Sequence, residues 1–246
     1  MPCLICGHEQ TIDAHLIPRA FALEVAPHSG EKHVIGYPGA DKFRRTNTGV
    51  YDADILCGPC DRKLGAHEGY AVEFLRKARM RLAPPHSYLH AKEVNGDRFV
   101  RFAAGLCWKY AVTKQANGRI GTGRYREILA DVAFERAPVP SSIDLTAIQL
   151  YTGDTEVYFY RAPKADRQQG VNLFRFYIGG FLFFLKTDNR ANPEVPPQEC
   201  WLRGKQSASF AVLPAEMFEE WAIGKQIAGR PNLRSYFDKI RSKPAR

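Results

Sequence analysis

Three kinds of hydrophobic patterning follow one another along the chain. The front carries no sustained period: residues 11–17 suit a short strand and 19–25 a brief helical turn after Pro18. Residues 26–50, punctuated by Gly30, Gly36, Pro38, Gly39 and Gly49, suit a loop with one irregular hairpin. From Cys60 onward Leu64, Ala71, Leu75 and Ala78 fall in a narrow arc at ~3.6 residues per turn, which predicts an amphipathic helix stopped by Pro84-Pro85. The stretch 86–137 predicts further helix after a short extended piece. Phe102, Leu106 and Tyr110 form one stripe there, flanked by Ala103, Cys107 and Ala111, while Tyr125, Ile128, Leu129 and Val132 form another. Pro138 and Pro140 mark a linker. Beyond it β-branched and aromatic residues predict strands at 146–151, 156–161, 172–178, 181–186 and 207–213. Gly179-Gly180 is a hairpin signal, and connections too short for crossover helices imply antiparallel pairing. Helices at 215–225 and 232–242 close the chain, and 242–246 reads as a frayed end. The patterning thus divides the chain into 1–82, a helical region 83–140, and a β-rich domain 141–246.

Composition narrows the class. With 45% hydrophobic and 25% charged residues the chain has the make-up of a soluble globular protein. Its longest apolar run, 178–185, falls far short of the ~18 residues of a membrane span, so no membrane partner is expected. The start at Cys3 shows no basic and then apolar leader, and four of six cysteines sit in Cys-x-x-Cys pairs. Both features predict a reducing, cytoplasmic setting with metal ligation in place of disulfides. A formal charge of +9 points toward a polyanionic partner, nucleic acid first.

The chemistry concentrates at the front. Cys3-Leu4-Ile5-Cys6 and Cys57-Gly58-Pro59-Cys60 offer four thiolates, the full complement of a structural Zn²⁺. Cys-x-x-Cys pairs also serve redox chemistry, which stands as the alternative. With the two pairs joined, the order Cys-x-x-Cys, His15-Leu16-Ile17-Pro18, Leu56-Cys-x-x-Cys-Asp61 resembles the HNH endonuclease family, specifically the ββα-metal nucleases that carry a structural zinc on four cysteines. The resemblance spans about residues 3–65. It implies a zinc-bound ββα-metal unit at the front, which with the patterning behind it gives an α+β fold: that unit, a helical middle, and an antiparallel sheet with closing helices. It also implies that His15 is the general base drawing a proton from the water that attacks a phosphodiester. Asp61 stands where the family places an Asn or His that holds a catalytic metal or positions phosphate, and Asp52 matches an Asn five residues before the third cysteine. A divalent ion there, most often Mg²⁺, would stabilise charge on the leaving oxygen. Asp61 and Glu68, seven apart on the predicted helix, share a side.

Two positions depart from the family pattern. Ala14 precedes His15 where the family has Asp, Glu or His, and Leu64 replaces the usual Lys. Two functions therefore follow from the sequence. One is a metal-dependent endonuclease acting on nucleic acid, DNA before RNA. The other is a zinc-stabilised nucleic-acid-binding or interaction protein with a degenerate HNH site. Each acidic candidate also has an ordinary explanation: Asp61 as a first-turn helix charge, Asp52 as a turn residue, Glu68 as a solvated one. Arg76 to Arg81 read as a helix end or a phosphate contact, and Lys42, Arg44 and Arg45 as nucleic-acid candidates in the long loop. Cys107 and Cys200 read as small core residues. The aromatic runs 158–160 and 174–177 read as sheet packing more than base-stacking platforms.

Overall fold

A computed structural model describes residues 1–24, 33–36, 42–47, 49–81, 83–115, 118–153 and 159–241. Most of the expected loop at 26–50, residues 156–158 of one expected strand, and the end 242–246 lie outside the described residues. The fold is α+β. In the front, β1 (Ala14–His15) is followed by α1 (Arg19–Glu24), the hairpin strands β2 (His33–Gly36) and β3 (Phe43–Thr46), and β4 (Tyr51–Asp52). Next come α2 (Gly58–Arg79), β5 (Ser87–Ala91), α3 (Gly96–Val112) and α4 (Tyr125–Ala133). The back of the chain supplies β6 (Ile143–Tyr151), β7 (Arg161–Gln168), β8 (Val171–Ile178), β9 (Phe181–Thr187) and β10 (Ala208–Pro214), then α5 (Glu219–Ala228) and α6 (Pro231–Arg241).

Six strands form one sheet in the order β5-β10-β6-β9-β8-β7. The expected all-antiparallel sheet is corrected to a mixed one, because β10 pairs parallel to β6 through Ala211↔Ile148 and Leu213↔Leu150. The connection 188–207 carries the chain from β9 past β6, which lets β10 run in the direction of β6. On its other side β10 pairs antiparallel with β5, so the middle segment contributes a strand to this sheet. The strand expected at 156–161 is displaced: Phe159 and Tyr160 are irregular, and the strand begins at Arg161. Its polar sequence, with Pro163 beside a register shift between Arg161 and Lys164, suits an edge that hydrogen-bonds on one side only.

One apolar core joins all three segments of the chain. Leu64 and Leu75 of α2, Phe99 and Phe102 of α3, Leu129 of α4, and Phe176, Phe183 and Phe210 of the sheet belong to a single buried cluster. Phe176 and Phe183 stack with ring centroids 5.0 Å apart, and Phe102 meets each of them edge-on. Such offset and T-shaped contacts suit the ring quadrupoles. The opposite face of the sheet packs Tyr177, Leu182, Phe184 and Trp201 against Trp221 of α5. Phe174, Phe176 and Tyr177 are therefore interior, Phe159 and Tyr160 are half-buried, and Cys107 and Cys200 are fully buried.

α2 buries Cys60, Leu64, His67, Ala71, Val72, Leu75 and Ala78, the stripe its period demands, and ends at Arg79 ahead of the proline pair. α3 differs in kind. From Phe99 to Ala111 its only residue that is not buried is Arg101, so it is a core helix wrapped by α2, α4 and the sheet. Lys109 sits inside that buried run. No described helix is long and apolar enough to cross a membrane.

Candidate four-cysteine cluster and the His15 site

The first Cys-x-x-Cys pair lies in a loop closed by Cys3 N–H donating to His8 O and Gly7 N–H donating to Cys3 O. Gly7 takes φ 74°, a left-handed turn conformation that a side chain resists. The second pair opens α2, with Cys57 as the residue before the helix and Cys60 in its first turn. Leu4 N–H donates to Ile55 O and Ile12 N–H to Leu56 O, which sews the two loops together. The four Sγ atoms consequently lie within 4.8 Å of one another, with Cys6 and Cys57 at 3.5 Å. Sulfurs ~2.3 Å from a central zinc would be roughly this far apart, and four thiolates are a zinc donor set.

Electrostatics point the same way. Burial pushes the Cys3 thiol up, yet backbone N–H groups of Cys57, Cys6 and Ile5 outweigh it and bring the group down to about 6. Burial raises Cys57 and Cys60, and for Cys60 the neighbouring thiols add to the effect. A crowded thiol cluster in which Cys3 is drawn toward ionisation while Cys57 and Cys60 are held from it is the condition that a bound cation relieves. None of the four is joined in a disulfide, and the cluster can hold a metal ion.

Behind the cluster β1 and β4 pair antiparallel, with Ala14 opposite Asp52 and His15 opposite Tyr51, and α2 follows. Paired residues share a face of a hairpin and adjacent ones alternate, so His15 and Tyr51 share one face, Ala14 and Asp52 the other. Asp52 is buried there: its carboxylate accepts hydrogen bonds from Thr113 Oγ1, Lys114 N–H and Asp54 N–H. Burial alone would raise it, but these donors hold it below the usual carboxylate range. Asp52 thus braces the end of α3, away from the imidazole.

The other three candidates do come together. The imidazole of His15 is partly exposed, but its Nε2 is buried with no hydrogen-bond partner among the described residues. Burial, then Lys109 and Arg19, hold it below its ordinary pKa, against the opposing pull of Asp61 and Glu68. Asp61 is raised, by burial first, with Lys109 and His15 resisting. The residue that organises this group is one the sequence reading passed over. Lys109, only 1% exposed at its side chain, donates from Nζ to the His15 carbonyl at 2.5 Å and to Glu68 Oε1 at 2.7 Å. Its signal was a lysine between Trp108 and Tyr110 in an apolar helix.

These residues do not fit a second, catalytic metal. Ala14 is a buried methyl, Asp52 faces away, and the ammonium of Lys109 already pairs with Glu68. Among the described residues the four cysteines are the only group of three or more His, Cys, Asp or Glu that converges as ligands. Beside the site a cleft of about 610 Å³ lies between α1 and α2, lined by Arg19, Gly65, Glu68, Gly69, Arg76 and Lys77. A Cβ at Gly65 or Gly69 would meet open space, so α2 offers bare backbone to this cleft.

Three of the remaining basic candidates pair with nearby carboxylates. Arg76 and Arg79 both pair with Glu24 of α1, and Lys77 pairs with Glu73. Lys42, Arg44 and Arg45 are exposed on or beside β3, whose hairpin packs on α5 and α6 through Gly36 against Ile227 and Phe43 against Tyr236. Comparison with protein-family models, with curated proteins and with solved structures returns no match.

Proposed function

We propose that the chain is a zinc-framed phosphodiesterase of the HNH kind acting on nucleic acid, with DNA the expected substrate. The observation that carries this reading is the unpartnered Nε2 of His15, set among Asp61, Glu68 and Lys109 behind a four-thiolate cluster. An orphaned ring nitrogen in a polar recess is a place for a water molecule. A depressed pKa keeps the imidazole neutral near pH 7, the form a general base needs.

In this reading Cys3, Cys6, Cys57 and Cys60 would hold a zinc that frames the site and would supply no chemistry to the reaction. His15 accepts a proton from the attacking water as its oxygen bonds to phosphorus and the ester P–O bond breaks. The leaving oxygen then takes up a proton from solvent. The cleft beside Glu68 accommodates the backbone flanking the scissile phosphate, with Arg19 at its rim.

A second reading is a zinc-framed module that binds nucleic acid without cutting it. The fully buried Ala14, which offers no ligand beside His15, favours it. Incubating supercoiled plasmid and single-stranded RNA with wild type and His15→Ala, with and without Mg²⁺ or Mn²⁺, separates the two. The phosphodiesterase reading expects nicking by wild type alone. Gel retardation without cleavage in every buffer, or equal cutting by the variant, would sink it.

A further inference from the structure

We propose that Lys109 is the fixed cation of the His15 site, replacing an exchangeable divalent ion, so that the site cuts phosphodiesters without one. The inference rests on the phosphodiesterase reading and adds to it how the site is charged.

A lysine is almost never buried unless something pairs with its charge. Leu or Met would fill the same place in α3 without that cost, so the charge calls for an explanation that packing does not give. Lys109 reaches from α3 to two other elements at once, bonding the carbonyl of the residue that carries the imidazole and the carboxylate of Glu68 on α2. That is the geometry by which a metal would tie the β1–β4 pair to the helix, carried out by one ammonium. A divalent ion bound at Glu68 would sit against this ammonium, and the repulsion of like charges opposes it. Because its side chain is almost wholly enclosed, Lys109 acts through His15 and Glu68, and it is a positioning residue.

The groups facing His15 come from every element around it: Lys109 of α3, Arg19 of α1, Asp61 and Glu68 of α2, and the ring of Tyr51 of β4, 6.2 Å away. The two cations disfavour the imidazolium and the two carboxylates favour it. Removing Lys109 leaves the carboxylates less opposed, so His15 then holds its proton to higher pH.

The test uses full-length protein with zinc verified at one per chain after passage over a chelating resin. Plasmid nicking is then followed with no added divalent ion and with Mg²⁺ or Mn²⁺. The expected result is the same rate in all three buffers. Lys109→Met should lower kcat by about 10²-fold and move the acidic limb of the pH–rate profile to higher pH. Lys109→Arg, which keeps the charge, should leave that limb in place. A purely structural lysine would lower activity in Lys109→Met without moving the limb, and that outcome overturns the proposal. Cutting by wild type only when Mg²⁺ or Mn²⁺ is added also overturns it while leaving the phosphodiesterase reading intact. Absence of cutting in every buffer overturns both. Should Lys109→Met fail to fold, the wild-type comparison across the three buffers still decides.

Discussion

Thr113 donates its hydroxyl proton to Asp52 at 2.7 Å, so a carboxylate on the β1–β4 strand pair receives the chain as it leaves α3. Two backbone N–H groups complete the cage. Asp52→Asn puts an amide N–H₂ where one of these donors points. It should cost about 2–3 kcal/mol, the worth of hydrogen bonds to a buried charged group. Because the folded carboxyl sits below its ordinary pKa, its stabilisation is complete above the unfolded value and is lost as pH falls through the folded one. Urea unfolding of both proteins should differ near neutral pH and converge in acid.

Cys57→Ser should release the metal that we assign to the four-thiolate cluster. One zinc per chain is expected in the wild type by elemental analysis and well under one in the variant. Structural zinc sites hold on the order of 10 kcal/mol of folding free energy, so the thermal transition should fall sharply and the front of the chain should become protease-sensitive. Retained zinc at wild-type stability would contradict the assignment.

Gly96, the first residue of α3, leaves no room for a side chain. A Cβ there would lie 1.7 Å from the Leu202 carbonyl oxygen, and Gly96 N–H donates to Lys205 O in the same contact. Backbone on both sides cannot yield as a flexible side chain would. Gly96→Ala is expected to destabilise by about 3 kcal/mol or more. A thermal midpoint unchanged from wild type would show that the 198–205 segment moves freely.

Two histidines predict an acid-sensitive fold. His15 and His67 are both held below their ordinary pKa, chiefly by burial; Glu135, 3.6 Å from His67 Nε2, only partly opposes this. Below the unfolded value of ~6.5 the unfolded chain takes up protons that the folded one refuses, so stability drops as pH falls toward the folded values and is recovered above it. The urea midpoint should therefore be lower at about pH 5.5 than at about pH 7.5, and His67→Gln should flatten the difference. An unchanged slope in the variant would remove His67 from the account.

Periodicity was legible wherever burial was one-sided. The α2 stripe of Leu64, Ala71, Leu75 and Ala78 is buried as its spacing required. Gly179 and Gly180 adopt φ 60° and 83°, the pair of left-handed residues that a tight hairpin needs. β7 was not legible, because an edge strand reading Arg-Ala-Pro-Lys-Ala-Asp-Arg-Gln buries too little to show alternation. The parallel β6–β10 pair was hidden for another reason: its register depends on an irregular connection with no pattern of its own. At the site, spacing alone placed the four cysteines, but it could not tell which face of a two-residue strand each neighbour takes. That is why Asp52 could be grouped with His15, which lies on the other face of the β1–β4 pair. Lys109 lies far from the motif in sequence, so only the packing of α3 brings it in.

The strand order also sets a schedule. β10 lies between β5 and β6, yet it follows both of them in the chain. During synthesis β5 leaves the ribosome long before the strand that will hold it, and β6 waits with one edge uncovered while β9, β8 and β7 assemble on the other. Completing the sheet is thus a late event that closes a gap instead of extending a row, and high contact order makes such closure slow. The four cysteines all precede the first strand of this sheet, so they emerge ahead of it. A metal bound there can fold the β1–β4 pair and the head of α2 first, giving α3 and then the sheet a surface on which to condense.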